Sequence, residues 1–336
     1  MKAVKWVFYI LICFCLSGIF IFYTLIVAGK APVLQELWVT TAMTTINHKW
    51  LATAFIDEET IRSILDRTYV DDSLYATNLS DSPSAKNAAE PSLYLEQGYQ
   101  SLDESLYIKE ISGDLWRGHI MLLADPSRLK LTQTNQQGEA GQTVMEMTKD
   151  AGAIAGINGG GFSDGTNFNG TGGIVAGILL IGGKAINPAD PSSQEQYSII
   201  GMTETGQLAL LHGTVGDAFA AGIVDAVSFS PFLIVNGEGL INGTGGWGIA
   251  PRTAIGQRPT GELLFLVIDG RQVGYSVGVD IGVLQDVLLE EGCVNAAMMD
   301  GGSSSVMVYN NEYVNKPSLG YERPINNCWV IMPGES

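Results

Sequence analysis

Short apolar runs separated by turn-forming residues constrain this chain more than any other feature of its sequence. The run at 178–181 turns at Gly182-Gly183-Lys184, and 198–202 meets 208–211 across Thr205-Gly206. The run at 232–235 ends on Asn236-Gly237, 254–256 meets 263–268 across Pro259-Thr260-Gly261, and 306–309 ends on Asn310-Asn311. Glycine and asparagine reach the positive φ that tight hairpin turns need, so each pair reads as an antiparallel hairpin. Two further runs, 116–123 and 129–132, flank the turn Ala124-Asp125-Pro126-Ser127. Helical spacing is clear at 281–290, and a short helix at 143–151 precedes a strand at 153–157. Helices are too few for a doubly wound sheet. The predicted class is α+β, with a mostly antiparallel, twisted sheet or barrel-like core.

The N-terminal third reads differently. Residues 6–28 carry no charge over 23 positions, and a helix of that length spans ~34 Å, enough for a bilayer core. A cleaved signal has a shorter apolar region and a small-x-small cleavage site, whereas Val27-Ala28-Gly29-Lys30 offers a poor one. Residues 1–30 are therefore expected to be a single-pass signal anchor. Lys2 and Lys5 outweigh Lys30, which places the N-terminus in the cytoplasm and the remainder outside the cell membrane. Residues 31–70 read as a helical stalk, with Asp57-Glu58-Glu59 opening its second helix. Residues 71–104, rich in Ser, Asn and Asp, read as a linker. The β-rich domain is expected over 105–336.

Net charge of −17, from 18 basic and 35 acidic residues, argues against binding nucleic acid. Any anionic substrate needs a local basic pocket. Three histidines and four cysteines leave little material for a zinc site or a Ser/His/Asp triad. Cys13 and Cys15 fall in the anchor; Cys293 and Cys328 read equally as one disulfide or as two inert buried thiols.

Several stretches carry chemistry. Asp300 ends an apolar run and is followed by Gly301-Gly302-Ser303-Ser304-Ser305. A carboxylate at a strand end beside a Gly/Ser loop fits a polyol or phosphate site, and it fits a capped turn equally well. Asp269-Gly270 repeats that design, so the two acids read as an acid/base pair or as two turn caps. Arg252 opens a strand, where its planar fork suits phosphate or carboxylate or a surface ion pair. Asn158-Gly159-Gly160-Gly161-Phe162 ends another strand and reads as a pocket wall, with Asn158 offering its amide to a sugar hydroxyl, or as a long hairpin loop. No helix follows these glycines, which excludes a dinucleotide fingerprint. Glu322-Arg323 lie just before a terminal strand.

Together, INGGGF (157–162), PRTAIG (251–256), VIDGR (267–271), MMDGGSSS (298–305) and ERPINN (322–327) resemble the phosphodiester glycosidase family over roughly 105–334. Gly161 displaces the family's aromatic, here Phe162, by one position. The resemblance implies hydrolysis of a sugar-1-phosphodiester of N-acetylglucosamine type at the anomeric carbon; the anchor and the acidic exterior suggest surface or exopolysaccharide material as its setting. It implies Asp300 as base or nucleophile, with Asp269 or Glu322 as partner carboxylate and Arg252 and Arg323 on the phosphate. Asn158, Gly159, Gly160, Thr253, Gly301, Gly302 and Ser303 to Ser305 would hold and orient the substrate. No cofactor is expected to be required, although an all-oxygen Ca²⁺ or Mg²⁺ site remains compatible. The alternatives are a tethered glycan-binding module in envelope polysaccharide assembly and a metal-dependent phosphodiesterase.

Overall fold

Each predicted hairpin forms, and its turn sits where backbone freedom allows. Gly182, Gly183, Gly206, Gly237 and Gly261 have positive φ, as do Asn236, Asn310 and Asn311. The computed structural model describes residues 2–45, 48–80, 90–163 and 170–334. The chain divides into two units, Met1–Tyr69 with Gly243–Gly248, and Val70–Asn242 with Ile249–Ser336.

The first unit is helical. Helix α1 (Lys2–Phe22) runs on through a π-helical turn at Tyr23–Val27. The stretch Lys5–Val27 is long and apolar enough to cross a membrane, a test that a signal sequence also passes. Helices α2 (Pro32–Met43), α3 (Trp50–Thr53) and α4 (Glu58–Thr68) follow. Asp57 caps α4 by accepting from the Thr60 N–H at 2.7 Å. The predicted stalk has its own small core of Val39, Ala42, Ala52, Ile56, Ile61 and Ile64. Inside the same unit, Thr44 Oγ1 donates to the Trp247 carbonyl at 3.2 Å and Thr244 Oγ1 to Glu36 at 3.0 Å.

The second unit opens with α5 (Pro91–Glu96), β1 (Gln100–Ser101), β2 (Leu106–Ser112), β3 (Arg117–Leu123) and β4 (Leu129–Gln133). Helix α6 (Val144–Asp150), capped by a reciprocal Thr143–Glu146 pair, leads to β5 (Ala155–Asn158). Then come β6 (Leu179–Ile181), β7 (Lys184–Asn187), β8 (Tyr197–Thr203), β9 (Leu208–Gly213), α7 (Val215–Ala220) and β10 (Ile223–Ser228). Strands β11 (Phe232–Val235), β12 (Glu238–Gly239), β13 (Arg252–Gln257) and β14 (Leu263–Ile268) precede α8 (Ile281–Glu290). The chain ends with β15 (Asn295–Met298), β16 (Met307–Tyr309), β17 (Glu312–Tyr313) and β18 (Asn327–Ile331).

These strands form an eight-stranded sheet, β1-β2-β3-β14-β13-β15-β11-β12, and two five-stranded sheets, β7-β6-β10-β8-β9 and β17-β16-β5-β18-β4. The neighbours pair antiparallel, as short hairpin connections require. Of the two expected cores, the twisted antiparallel sheet forms and the barrel-like alternative does not: the sheets stay open and pack on one another. One core joins them through Phe265, Ile255, Ile157, Trp329, Ile200 and Leu208, and each such side chain contributes about 1.5–3 kcal/mol by leaving water.

The expected linker is also partly structured. Helix α5 and β1 lie within it, and Thr77 donates its N–H to the Leu210 carbonyl at 2.9 Å. Asp72 accepts from the Phe232 N–H at 2.7 Å and lies 3.1 Å from His212 Nε2. Ser/Asn/Asp composition, which reads as solvated chain, here supplies the acceptors that bind the segment to a strand edge. Residues 81–89 of that linker lie outside the described residues. Cys293 and Cys328 are both buried free thiols, so the disulfide alternative gives way to the other.

Candidate active site

Strand β13 lies between β14 and β15 in the large sheet, so the start of β13 shares an edge with the ends of both neighbours. Arg252, Asp269 and Asp300 therefore come to one end of the sheet. Ladder bonds continue past the strands, from the Met299 N–H to the Thr253 carbonyl at 2.8 Å and from the Gly302 N–H to the Pro251 carbonyl at 2.9 Å. The Asp300 N–H donates to the Gly159 carbonyl at 3.1 Å, which joins this end to the end of β5 in a different sheet.

Asn158 fastens that junction. It is fully buried; its Nδ2 donates to the Asp300 carbonyl at 2.7 Å, and its Oδ1 accepts from Thr253 Oγ1 at 2.8 Å and the Val306 N–H at 3.1 Å. The amide expected to face a sugar hydroxyl thus works inside the protein, and so does the Thr253 hydroxyl. Glycine is required beside it, since a Cβ on Gly159 would stand 2.2 Å from Asn327 Oδ1 and one on Gly160 2.6 Å from Val227 Cβ. The Gly160 N–H donates to Asn327 Oδ1 at 2.8 Å, so β18 is drawn to the same point.

Asp300 is half-buried, and its Oδ1 accepts from the Gly301 N–H at 2.9 Å. Gly302 has φ +64, a conformation that favours glycine. The serines that follow point different ways: Ser304 and Ser305 are buried, and Ser303 is half-buried. Ser305 Oγ has no hydrogen-bond partner among the described residues.

Arg252 is buried beside this loop. Its Nε donates to the Val279 carbonyl at 3.2 Å, and its Nη1 would lie 3.8 Å from a Cβ on Gly301. Burial pulls its pKa down to about 10; Asp280 acts in the opposite direction and the Arg271 charge adds to the lowering. Arg271, to which sequence reasoning gave no role, reaches the same loop from the end of β14. Its terminal nitrogens would lie 3.2 and 3.4 Å from a Cβ on Gly302. Packing lowers its pKa, while the Asp300 carboxylate opposes that shift. The available signal was an arginine directly after Asp-Gly at a strand end.

The two other proposed carboxylates have different surroundings. Asp269 is buried and accepts from Tyr275 Oη at 3.0 Å, Asn315 Nδ2 at 2.9 Å and the Lys316 N–H at 3.0 Å. That set makes it the anchor of two loops. Glu322 is buried at the start of α6, where its Oε2 accepts from the Met145 N–H at 3.4 Å. Burial raises its pKa, against lowering by the Met145 and Val144 N–H groups and Tyr313. Arg323 stacks over the Phe162 ring at 4.8 Å. Residues 164–169, in the loop that follows Phe162, lie outside the described residues. Among the described residues, no group of three or more His, Cys, Asp or Glu gathers as a metal-ligand set.

The sequence profile of a family described as phosphodiester glycosidase matches residues 151–332. The N-acetylglucosamine-1-phosphodiester α-N-acetylglucosaminidase of Bos taurus is 29% identical over 194 residues, 52% of this chain and 35% of that protein. A Bacillus subtilis (strain 168) protein, the SPbeta prophage-derived uncharacterized protein YomE, is 40% identical over 81 residues, 24% of this chain and 12% of that one. The chain thus spans about a third or less of the curated relatives it matches. Among solved structures, the zebrafish N-acetylglucosamine-1-phosphodiester α-N-acetylglucosaminidase catalytic domain, described as auto-inhibited by its pro-peptide, superposes with a TM-score of 0.56 at 21% identity. That match covers 70% of this chain and 86% of that one. A hypothetical protein from Synechocystis gives 0.50 at 15% identity, over 69% and 63% of the two chains. At these identities the likeness is one of fold.

Proposed function

This chain belongs to the phosphodiester glycosidase family, and from that premise we propose that it hydrolyses a sugar-1-phosphodiester at the anomeric carbon. The observation that carries the reading is the meeting of Arg252 and Asp300 at Gly301, a buried guanidinium against the loop that bears a carboxylate. In the reaction the bond from C1 to the phosphate oxygen breaks and water supplies hydroxide to C1. The water's remaining proton ends on the phosphomonoester or in solvent. Phosphate leaves more readily than an alcohol, so protonating it matters less than stabilising its charge. Arg252 supplies that stabilisation. Asp300 acts at C1 as base or nucleophile, in a loop that Asn158 holds in place. Asp269 and Glu322, engaged with Asn315 and with α6, act on the loops around it. The substrate is a phosphodiester-linked glycan of N-acetylglucosamine type, in surface or exopolysaccharide material. We place the protein at the cell membrane, anchored through Lys5–Val27, with the sheet domain outside.

The test incubates the full chain in detergent with an N-acetylglucosamine-1-phosphodiester, with and without chelator, and identifies products by mass. Free sugar plus phosphomonoester is expected, with a loss of at least ~10²-fold in Asp300→Asn and a comparable loss in Arg252→Lys. Sugar-1-phosphate formed only with metal would instead indicate a phosphodiesterase. Saturable binding without turnover, surviving Asp300→Asn, would indicate a glycan-binding module.

A further inference from the structure

We propose that Arg271 is the residue that selects phosphodiesters at this site, by holding the non-bridging oxygens of the substrate's phosphate. The proposal rests on the function given above and extends it to the choice between substrates.

Three observations point to this residue. The first is position. The Arg271 guanidinium lies against Gly302, with Cζ 3.5 Å from where a Cβ would stand, while Arg252 lies against Gly301. Two cations therefore flank the dipeptide that follows Asp300. Like charges so placed repel, and a bound anion relieves that repulsion. The second is how each arginine is committed. Arg252 is buried, bonded to the Val279 carbonyl and balanced by Asp280, so it presents a fixed charge. Arg271 keeps part of its surface in solvent while its guanidinium packs against Gly302, and the carboxylate acting on it is Asp300 itself. A partly solvated arginine on a long stem can follow a phosphate as it departs from C1, and its fork matches two phosphate oxygens.

The third is the backbone. Arg271 has φ +60, the left-handed region that costs an ordinary residue more than glycine. The hairpin around it enforces that conformation. The Arg271 N–H donates to the Val277 carbonyl at 3.1 Å, and Gln272 pairs with Ser276. Asp269, two residues earlier, ties the same hairpin to Asn315 and Lys316. A strained residue held by so many contacts, with its side chain beside the reacting carboxylate, is where strain accompanies function. Asp269 is then a positioning residue that acts through Arg271.

A glycoside that carries no phosphate offers Arg271 no non-bridging oxygens to hold, whereas a phosphodiester does. The experiment measures kcat/KM of the full chain in detergent on a methyl N-acetylglucosamine-1-phosphodiester and on p-nitrophenyl α-N-acetylglucosaminide. It compares wild type with Arg271→Gly and Arg271→Lys. Glycine relaxes the positive φ, so Arg271→Gly keeps or raises Tm, and lost activity in it cannot be ascribed to misfolding. The phosphodiester-to-arylglycoside ratio is expected to fall by about 10- to 100-fold in Arg271→Gly, the range of a charge-assisted hydrogen bond, with Arg271→Lys intermediate. The inhibition constant of inorganic phosphate should rise in parallel. A ratio and a phosphate constant both within about twofold of wild type would overturn the inference and leave the glycosidase reading intact. If wild type turns over neither substrate, the glycosidase reading fails instead. The inference is then read from the thermal shift induced by inorganic phosphate: loss in Arg271→Gly supports it, and retention overturns it.

Discussion

Replacing Asn158 by alanine tests whether the site is held from behind. The substitution strands the Asp300 carbonyl, the Val306 N–H and the Thr253 hydroxyl, all paired to Asn158 at 2.7 to 3.1 Å. Each buried polar group left unpaired costs about 1–3 kcal/mol. The hydroxyl can rotate toward another acceptor and losses within one network are not additive, so the expected destabilisation is ~3–5 kcal/mol. That is a large part of a typical domain stability of about 5–15 kcal/mol. Urea unfolding, followed through the buried Trp329, measures it. Asn158→Asp is the companion variant. It keeps an acceptor for Thr253 and Val306 but sets a carboxylate against the Asp300 carbonyl. Such an acid binds its proton more tightly in the folded state, so the stability of the variant should fall as pH rises above the ordinary carboxylate range. A loss below about 1 kcal/mol in Asn158→Ala, well under the cost of even two stranded groups, would refute the reasoning and return Asn158 to the substrate side of the pocket.

Three further outcomes are expected. Gly160→Ala should cost about 1–3 kcal/mol through overpacking, because its Cβ would lie 2.6 Å from Val227 Cβ and 2.8 Å from the Ser228 carbonyl; an unchanged Tm would show that β5 and β10 are free to separate. Burial raises the Glu322 pKa, so the native state keeps its proton longer than the unfolded chain and stability falls as pH climbs between the two pKa values. Glu322→Gln should therefore match or exceed wild type in Tm near pH 7, with the gap closing toward pH 4, and a gap that widens on acidification would contradict the sign. Burial pushes the Cys293 thiol up to about 12 and raises Cys328 as well; a thiol reagent should modify neither in the native protein and both in denaturant, with no change in Tm on adding reductant.

Local structure was legible because its causes are local. The turn pairs set β6–β7, β8–β9, β11–β12, β13–β14 and β16–β17, and apolar spacing set α8. Helix α7 carried a signal that went unread: Thr214 three residues before Asp217, which together form a capping box. Allocation of hairpins among three sheets was not legible. It depends on pairings such as β5 with β18 and β3 with β14, between residues far apart in sequence. For the same reason the contacts of the 71–104 segment were not legible, since nothing near Asp72 in the chain announces Phe232 or His212 as its partners.

The two Asp-Gly stretches show why motif reading reaches the right end of the sheet and then stops. Asp269 and Asp300 follow β14 and β15, the two neighbours of β13, so the repeated design does bring both acids beside Arg252. What separates them is the chain that follows. After Asp269 the hairpin at 270–278 folds back, and Asn315 and Lys316 arrive from a distant loop to occupy the carboxylate. After Asp300, two glycines keep the main chain bare, and the space where side chains would stand holds two guanidinium groups. The acid pair suggested by sequence is therefore divided in space: Asn315 and Lys316 engage Asp269, while the loop that follows Asp300 lies against two arginines. A carboxylate followed by a loop that carries two cations suits a reaction in which a carboxylate acts at carbon while negative charge gathers on a departing phosphate. It suits less well a glycosidase that must protonate an alcohol, for which a second carboxyl group at a defined separation is the usual requirement.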